Sequence, residues 1–348
     1  MTSAIQRKKS KSFSLVDLLP LNMVRHLASP YIAGNDSPAA ITLAHELFEK
    51  HGIFSNFDIL GEDVSLSSVA DNYVTIYRNL IDALVGQKLQ VEDMRKQISI
   101  SMKPSMFSVT SPRPGRMCKL LLDETFDRIA QVVDYAFRNG VNMTLEAEDR
   151  RWTNFQLETY FALVQAGYTN LGTVLQTRLF RTAKDIERFD DKTRVRLVIG
   201  IYEEPAAIAY TDKRQMKSLL VDFAGKLLAN GAYVELATHD SHYLQRFFAE
   251  IAIPRQLSTS RFETQFLLGV PREKLQAGLV NGSFFQSYRG SQYRNCASYL
   301  DALTNGGVLV RMYLPFGAPH VAGPYCKRRL RENHNLILYG IKNILHWT

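Results

Sequence analysis

Cysteine is scarce in this chain, and its scarcity excludes two architectures. Cys118, Cys296 and Cys326 are the only three cysteines among 348 residues, and they lie far apart with no metal-ligand spacing. A disulfide framework and a cysteine-built zinc site are therefore not expected, nor is any other metal centre, and a reducing, cytoplasmic setting is. Long hydrophobic runs are missing too: no stretch approaches the ~20 apolar residues of a membrane span. Acidic excess is also absent, the formal net charge being +8, which favours anionic partners. Nucleic acid is not the expected one, because no RNP, zinc-finger or coiled-coil signature accompanies the charge and most basic residues are dispersed.

What is present is an ordinary globular composition, 46% hydrophobic and 22% charged, which excludes extensive disorder. The first residues, MTSAIQRKKSKSFS, carry Arg7, Lys8, Lys9 and Lys11 without the apolar core of a secretory signal. They read as a basic flexible tail over 1–13, able to make peripheral contact with the inner face of a membrane. An N-terminal helical segment over 14–53, including ITLAHELFEKHG, is expected to cap a larger domain over 54–348.

Eight short apolar or β-branched runs mark that domain. They are 56–60, 98–102, 141–145, 172–176, 195–202, 233–238, 264–269 and 308–314. Stretches of helical periodicity separate them, such as 124–140 and 216–231, stopped by Gly140 and Gly231. Near-continuous apolar strands alternating with helices predict an α/β protein, a TIM-like (β/α)8 barrel of parallel strands with an N-terminal helical cap. An open doubly wound sheet is compatible with the same spacing. The segment from Gly282 to Asn305, rich in Ser, Tyr and Gln, reads either as a cover over the barrel mouth or as a plain insertion.

In a barrel of this kind the chemistry sits at the C-terminal ends of the strands. Polar residues gather there: Asp58 with Glu62 and Asp63, Lys103, Glu146 with Glu148, Gln176, Tyr202, the Thr238-His239-Asp240 run, Gln265 and Tyr313. Helix capping explains some of them individually; their repetition at one rim favours a site.

Near the C-terminus the chain reads YCKRRLREN, residues 325–333. On a helix Tyr325, Arg328, Arg329 and Glu332 share one face. Two adjacent guanidiniums there suit a planar anion, although a solvated helix laced by ion pairs explains the same charges.

With the strand that precedes it, VRMYLPFG, this helix resembles the R-x-Y-x-P-x-G strand and Y-L-x-R-R-x-x-E-N helix of the proline dehydrogenase family, monofunctional flavin-dependent barrels of proline catabolism. NFDILGED, SISMKPS, VNMTLEAED, GTVLQTRLFRT, RVRLVIGIYEEP, ATHD and FETQFLLG resemble further blocks of that family in order, over about 56–336. The resemblance implies FAD as cofactor, L-proline as substrate, Δ1-pyrroline-5-carboxylate as product and a quinone-type electron acceptor. It assigns Arg328 and Arg329 to the substrate carboxylate, Lys103 beside it, Tyr313 to the substrate ring, and Glu146, Leu197 and Tyr202 to the rest of the pocket. Arg196 and Gln176 fall to the flavin ring, Thr238 and His239 to the adenine end, Glu332 to the sugar chain and Lys213 to the phosphates. No acid or base is assigned, and no G-x-G-x-x-G turn is present or needed.

Two positions depart from the family pattern. Ile199 stands where a lysine is common, and Glu146 where an aspartate is, one methylene longer and within reach of Lys103. They leave open a different cyclic imino acid, such as hydroxyproline, pipecolate or a specialised-metabolism substrate. A barrel that has lost catalysis and serves as a basic binding module is the remaining alternative.

Overall fold

The computed structural model of the chain describes residues 29–61, 64–87, 96, 98–110, 112, 119–318, 321, 322, 326 and 327. The tail over 1–13, Glu62, Asp63, Arg328, Arg329 and Glu332 lie outside them. Of the 14–53 segment, the residues from Ser29 on are described; they form a 3-10 turn, Ser29–Tyr31, and helix α1, Ser37–His51. Local chemistry delimits α1. The Asp36 side chain accepts from the Ala39 amide at 3.0 Å at one end, and Gly52 at φ 66° closes the other.

Eight parallel strands close into a barrel in sequence order: β1 Phe54–Ile59, β2 Ser99–Met102, β3 Asn142–Leu145, β4 Leu171–Gln176, β5 Arg194–Val198, β6 Tyr233–Ala237, β7 Phe262–Leu267 and β8 Val310–Phe316. Pairing of β1 with β8, from Phe54 against Arg311 to Ile59 against Phe316, completes the circle. The closed barrel excludes the doubly wound sheet. Around it run α2 Ser67–Val85, α3 Lys119–Arg138, α4 Thr153–Gln165, the short α5 Thr182–Asp185, α6 Lys213–Ala229, α7 Ser241–Phe247, α8 Glu273–Asn281 and α9 Ala297–Gly306.

All eight expected strands are present, with ends moved by up to four residues. The largest difference is in β5, expected to reach Tyr202 but ending at Val198. Gly200 adopts φ +87° just beyond it, a conformation that turns the chain out of the ladder and suits glycine. The Gly282–Asn305 segment does not cover the mouth. It forms two 3-10 turns and most of α9, and Phe284, Phe285 and Tyr288 pack with Phe248 beyond α7 in an aromatic cluster.

Strand alternation divides the side chains into two populations. Outward residues such as Phe57, Ile100, Met143, Leu175, Leu197, Leu236 and Leu314 are buried against the helices and form the main core. The inward population is unusually polar for a barrel, whose interior is commonly filled by branched aliphatics. Asn56, Ser99, Ser101, Arg196, Glu235, Glu263, Gln265 and Arg311 are all buried there. They satisfy one another: Asn56 donates to Ser101 at 2.8 Å, and Arg311 grips Glu263 with two nitrogens at 2.7 and 3.1 Å.

Candidate active site

A cavity of about 580 Å³ opens at the C-terminal ends of the strands, a volume typical of small-molecule sites. Its walls come from β2 through β8 and the loops that follow them. Of the expected site residues, Lys103, Glu146, Gln176, Arg196, Tyr202, Lys213, Thr238, His239 and Tyr313 all line it. Residues scattered over two hundred positions thus meet in one place because they sit at inward-facing strand positions or on the segments that follow the strands.

Leu197 is the exception. It lies wholly buried in the core outside the barrel and does not line the cavity. Arg196 and Val198 point inward, so the residue between them must point out. Val198 holds the wall position instead.

The expected contact between Glu146 and Lys103 is also replaced. Lys103 forms its ion pair with Asp58, both side chains almost fully buried. Glu146 instead pairs with Arg196 and accepts from Ser101. Glu148 does not face the cavity either: it accepts from the Ser105 amide at 2.9 Å and the Ser105 hydroxyl at 2.6 Å, and so anchors the loop after β2.

Arg196 occupies the centre of the floor. Its Nε donates to Glu235 at 3.2 Å, it pairs with Glu146, and its guanidinium lies 5.2 Å from the Tyr313 ring centroid. Burial alone would lower its pKa, but Glu146 and then Glu235 outweigh that and raise it above the ordinary arginine value. It is a permanent cation. Its Nη2 nevertheless finds no hydrogen-bond partner among the described residues.

His239 is the second buried group with an unmatched atom. Its Nε2 accepts from the Leu267 amide at 3.3 Å, which leaves the proton on Nδ1, and Nδ1 has no partner among the described residues. Burial, aided by the nearby Arg272 cation, lowers its pKa to about 4, so the ring is neutral near pH 7. An N–H donor therefore belongs to a residue of the cavity wall.

Two cationic cavity residues, and one acid beneath the cavity, were not expected from the sequence. Lys217 stands one helical turn after Lys213 on α6 and pairs with Asp240 at 2.7 Å. Arg272, just beyond β7, donates to the His239 carbonyl at 2.8 Å. The i,i+4 spacing of the two lysines was a legible signal; nothing local marked Arg272. Glu235, beneath the cavity, was also missed, concealed in the apolar run YVELA.

The family model described as Proline dehydrogenase matches residues 42–336. The chain belongs to the proline dehydrogenase family. As a member of a dehydrogenase family it is an oxidoreductase. Proline dehydrogenase 1 of Bacillus subtilis (strain 168) is 25% identical over 319 residues, covering 91% of this chain and 90% of that protein. Proline dehydrogenase of Deinococcus radiodurans is 27% identical over 332 residues, covering 95% and 94%. Among solved structures, proline utilization A from Bdellovibrio bacteriovorus, inactivated by N-propargylglycine, superposes with a TM-score of 0.70 at 19% identity. The match covers 87% of this chain but only 32% of that larger protein; the likeness is one of fold. No described helix is long and apolar enough to cross a membrane.

Proposed function

We propose that the chain oxidises L-proline to Δ1-pyrroline-5-carboxylate, using FAD bound in the barrel-mouth cavity and passing the electrons to a quinone-type acceptor. The observation that carries this reading is that Arg196 and His239, each with a buried donor nitrogen that has no partner among the described residues, both line a cavity with cationic and apolar walls.

Those walls fit a flavin dinucleotide. Val174, Val198, Ile199, Ile201 and Ala237 offer apolar surface for a flat ring, while Lys213, Lys217 and Arg272 offer positive charge for a pyrophosphate. Arg196 and Gln176 would hold the ring, Thr238 and His239 the adenine end, and Glu332, outside the described residues, the sugar chain. Bound there, the flavin supplies an acceptor for hydride from the substrate ring carbon. The remaining chemistry is positioning. Arg328 and Arg329, also outside the described residues, would fork the substrate carboxylate, with Lys103 beside it. Tyr313, backed by the Arg196 guanidinium, would pack against the substrate ring and orient the donor carbon. Its bulk favours unmodified proline over a ring-hydroxylated relative. Glu146, Tyr202 and Val198 complete the wall. The basic tail, over 1–13, is the part suited to a negatively charged membrane surface, where a lipid quinone would be met.

The test is the visible spectrum of the purified protein under anaerobic conditions, before and after L-proline. Bleaching of a bound flavin is the expected result. A flavin that proline leaves oxidised, but hydroxyproline or pipecolate reduces, would replace the substrate; failure to bind FAD at all would overturn the reading.

A further inference from the structure

Around Arg196 the ionic groups inside the barrel form a connected set. Glu146 and Glu235 flank Arg196, Glu235 also stands 3.6 Å from Arg194, and Gln265 donates to Glu235 at 2.8 Å and to Glu263. Glu263 in turn holds Arg311 and accepts from Tyr233 at 3.0 Å. The carboxylates Asp58, Glu146, Glu235 and Glu263 are matched in number by Lys103, Arg194, Arg196 and Arg311. Such matching is what a low-dielectric interior demands, since an unbalanced buried charge costs several kcal/mol.

Within this set Glu235 has an unusual position. It is only 2% exposed and does not line the cavity, so it touches neither a ligand nor solvent. Yet it takes the Nε edge of the one guanidinium that forms the cavity floor, while Glu146 takes an Nη1 hydrogen. With those two edges held, the planar fork is fixed in orientation, and Nη2 is left without a partner among the described residues. Arg194 and Gln265 hold Glu235 in turn from β5 and β7.

We propose that Glu235 is a positioning residue that aims Arg196 at the flavin ring and, by cancelling part of its charge, sets the reduction potential of the bound cofactor. This rests on the FAD reading above and deepens it. The physics has a definite sign. Reduction adds negative charge to the ring, so a cation beneath it favours the reduced form, and a carboxylate beside that cation opposes the effect. Removing the Glu235 charge therefore makes the flavin easier to reduce. The Tyr313 ring covers the guanidinium and limits screening by water.

The experiment compares wild type, Glu235→Gln and Glu263→Gln as flavin-loaded proteins, measuring the midpoint potential by equilibration with a reference dye and FAD affinity by titration of the stripped protein. Glu235→Gln is expected to raise the two-electron reduction equilibrium roughly tenfold, about 30 mV for a two-electron couple. Glu263→Gln, whose carboxylate serves Arg311 rather than Arg196, should move it less than a third as far. An unchanged potential in Glu235→Gln overturns the inference while leaving the FAD reading intact, and equal shifts in the two variants overturn it as a general charge effect. A wild-type protein that holds no FAD overturns both. If Glu235→Gln does not accumulate in folded form, Glu235→Asp reads the same point: charge is kept but contact withdrawn, so the potential should stay within about twofold of wild type in equilibrium constant while kcat falls more than KM changes. A tenfold shift in Glu235→Asp would overturn the electrostatic role.

Discussion

Lys103 and Asp58 form an ion pair sealed between the ends of β2 and β1, with side chains 7% and 0% exposed. A pair so deeply buried gains little over an apolar substitute, but breaking it is costly because one charge remains in a dry site. Asp58→Asn should therefore lower stability by about 3 kcal/mol. Urea denaturation monitored by circular dichroism measures this, and a loss near zero would mean that water reaches Lys103.

His239 makes stability depend on pH. Its pKa is held near 4 in the folded protein, against about 6.5 when unfolded. Between those values the unfolded chain binds the extra proton, so stability is fully present above pH ~6.5 and is lost as pH falls toward 4. The full contribution is on the order of 3 kcal/mol. His239→Asn should flatten the dependence between pH 4.5 and 6.5. The depressed carboxylates Asp240, Glu250 and Glu263 act in the same direction in both proteins, chiefly at lower pH, so the difference between denaturation curves isolates the histidine.

Gly200 turns the chain out of β5 at φ +87°, and a Cβ there would lie 2.6 Å from Gln176 Oε1 and 3.2 Å from its Cβ. Gln176 cannot easily retreat, because its amide nitrogen donates to the Glu148 carbonyl at 2.9 Å. Gly200→Ala should cost about 1–2 kcal/mol of stability and weaken FAD binding at the same time. Thermal melting and FAD titration test the two effects; unchanged values in both would remove the steric argument.

Arg150 and Glu204 tie the loop after β3 to the loop after β5. Glu204 accepts from the Arg150 amide at 2.7 Å and its guanidinium at 3.0 Å. The second loop supplies Ile199 to Tyr202 of the cavity wall, and Arg178 donates to the Tyr202 carbonyl. Glu204→Gln should reduce kcat/KM for proline about fivefold, ~1 kcal/mol, mainly through KM and with little change in Tm. Steady-state kinetics decide the point; an effect confined to Tm would make the contact structural only.

The barrel was legible in the sequence because its strands are short apolar runs separated by stretches of helical periodicity, some with a glycine stop. Gly52, Gly140 and Gly231 all take positive φ at such stops. The candidate site was legible to the extent that its residues end strands, as Gln176 does, or directly follow them, as Lys103 and Glu146 do. What could not be read was pairing across the barrel. Lys103 has carboxylates on both neighbouring strands, and only the closed geometry decides that Asp58 is its partner and that Glu146 belongs to Arg196. Leu197 failed for a simpler reason: resemblance carried over a residue, but the side-chain period of two places it behind the wall.

The interlocked carboxylates and guanidiniums of the barrel interior also bear on how this chain can diverge. Arg196 depends on side chains from the loop after β3 and from β6, and Glu235 depends on β5 and β7. A change of charge at any one of these positions strands its partners, so acceptable substitutions must come in compensating sets. Mutational drift should be slow and correlated along the axis of the barrel, and comparatively free on the outer helices, where a lost ion pair meets water.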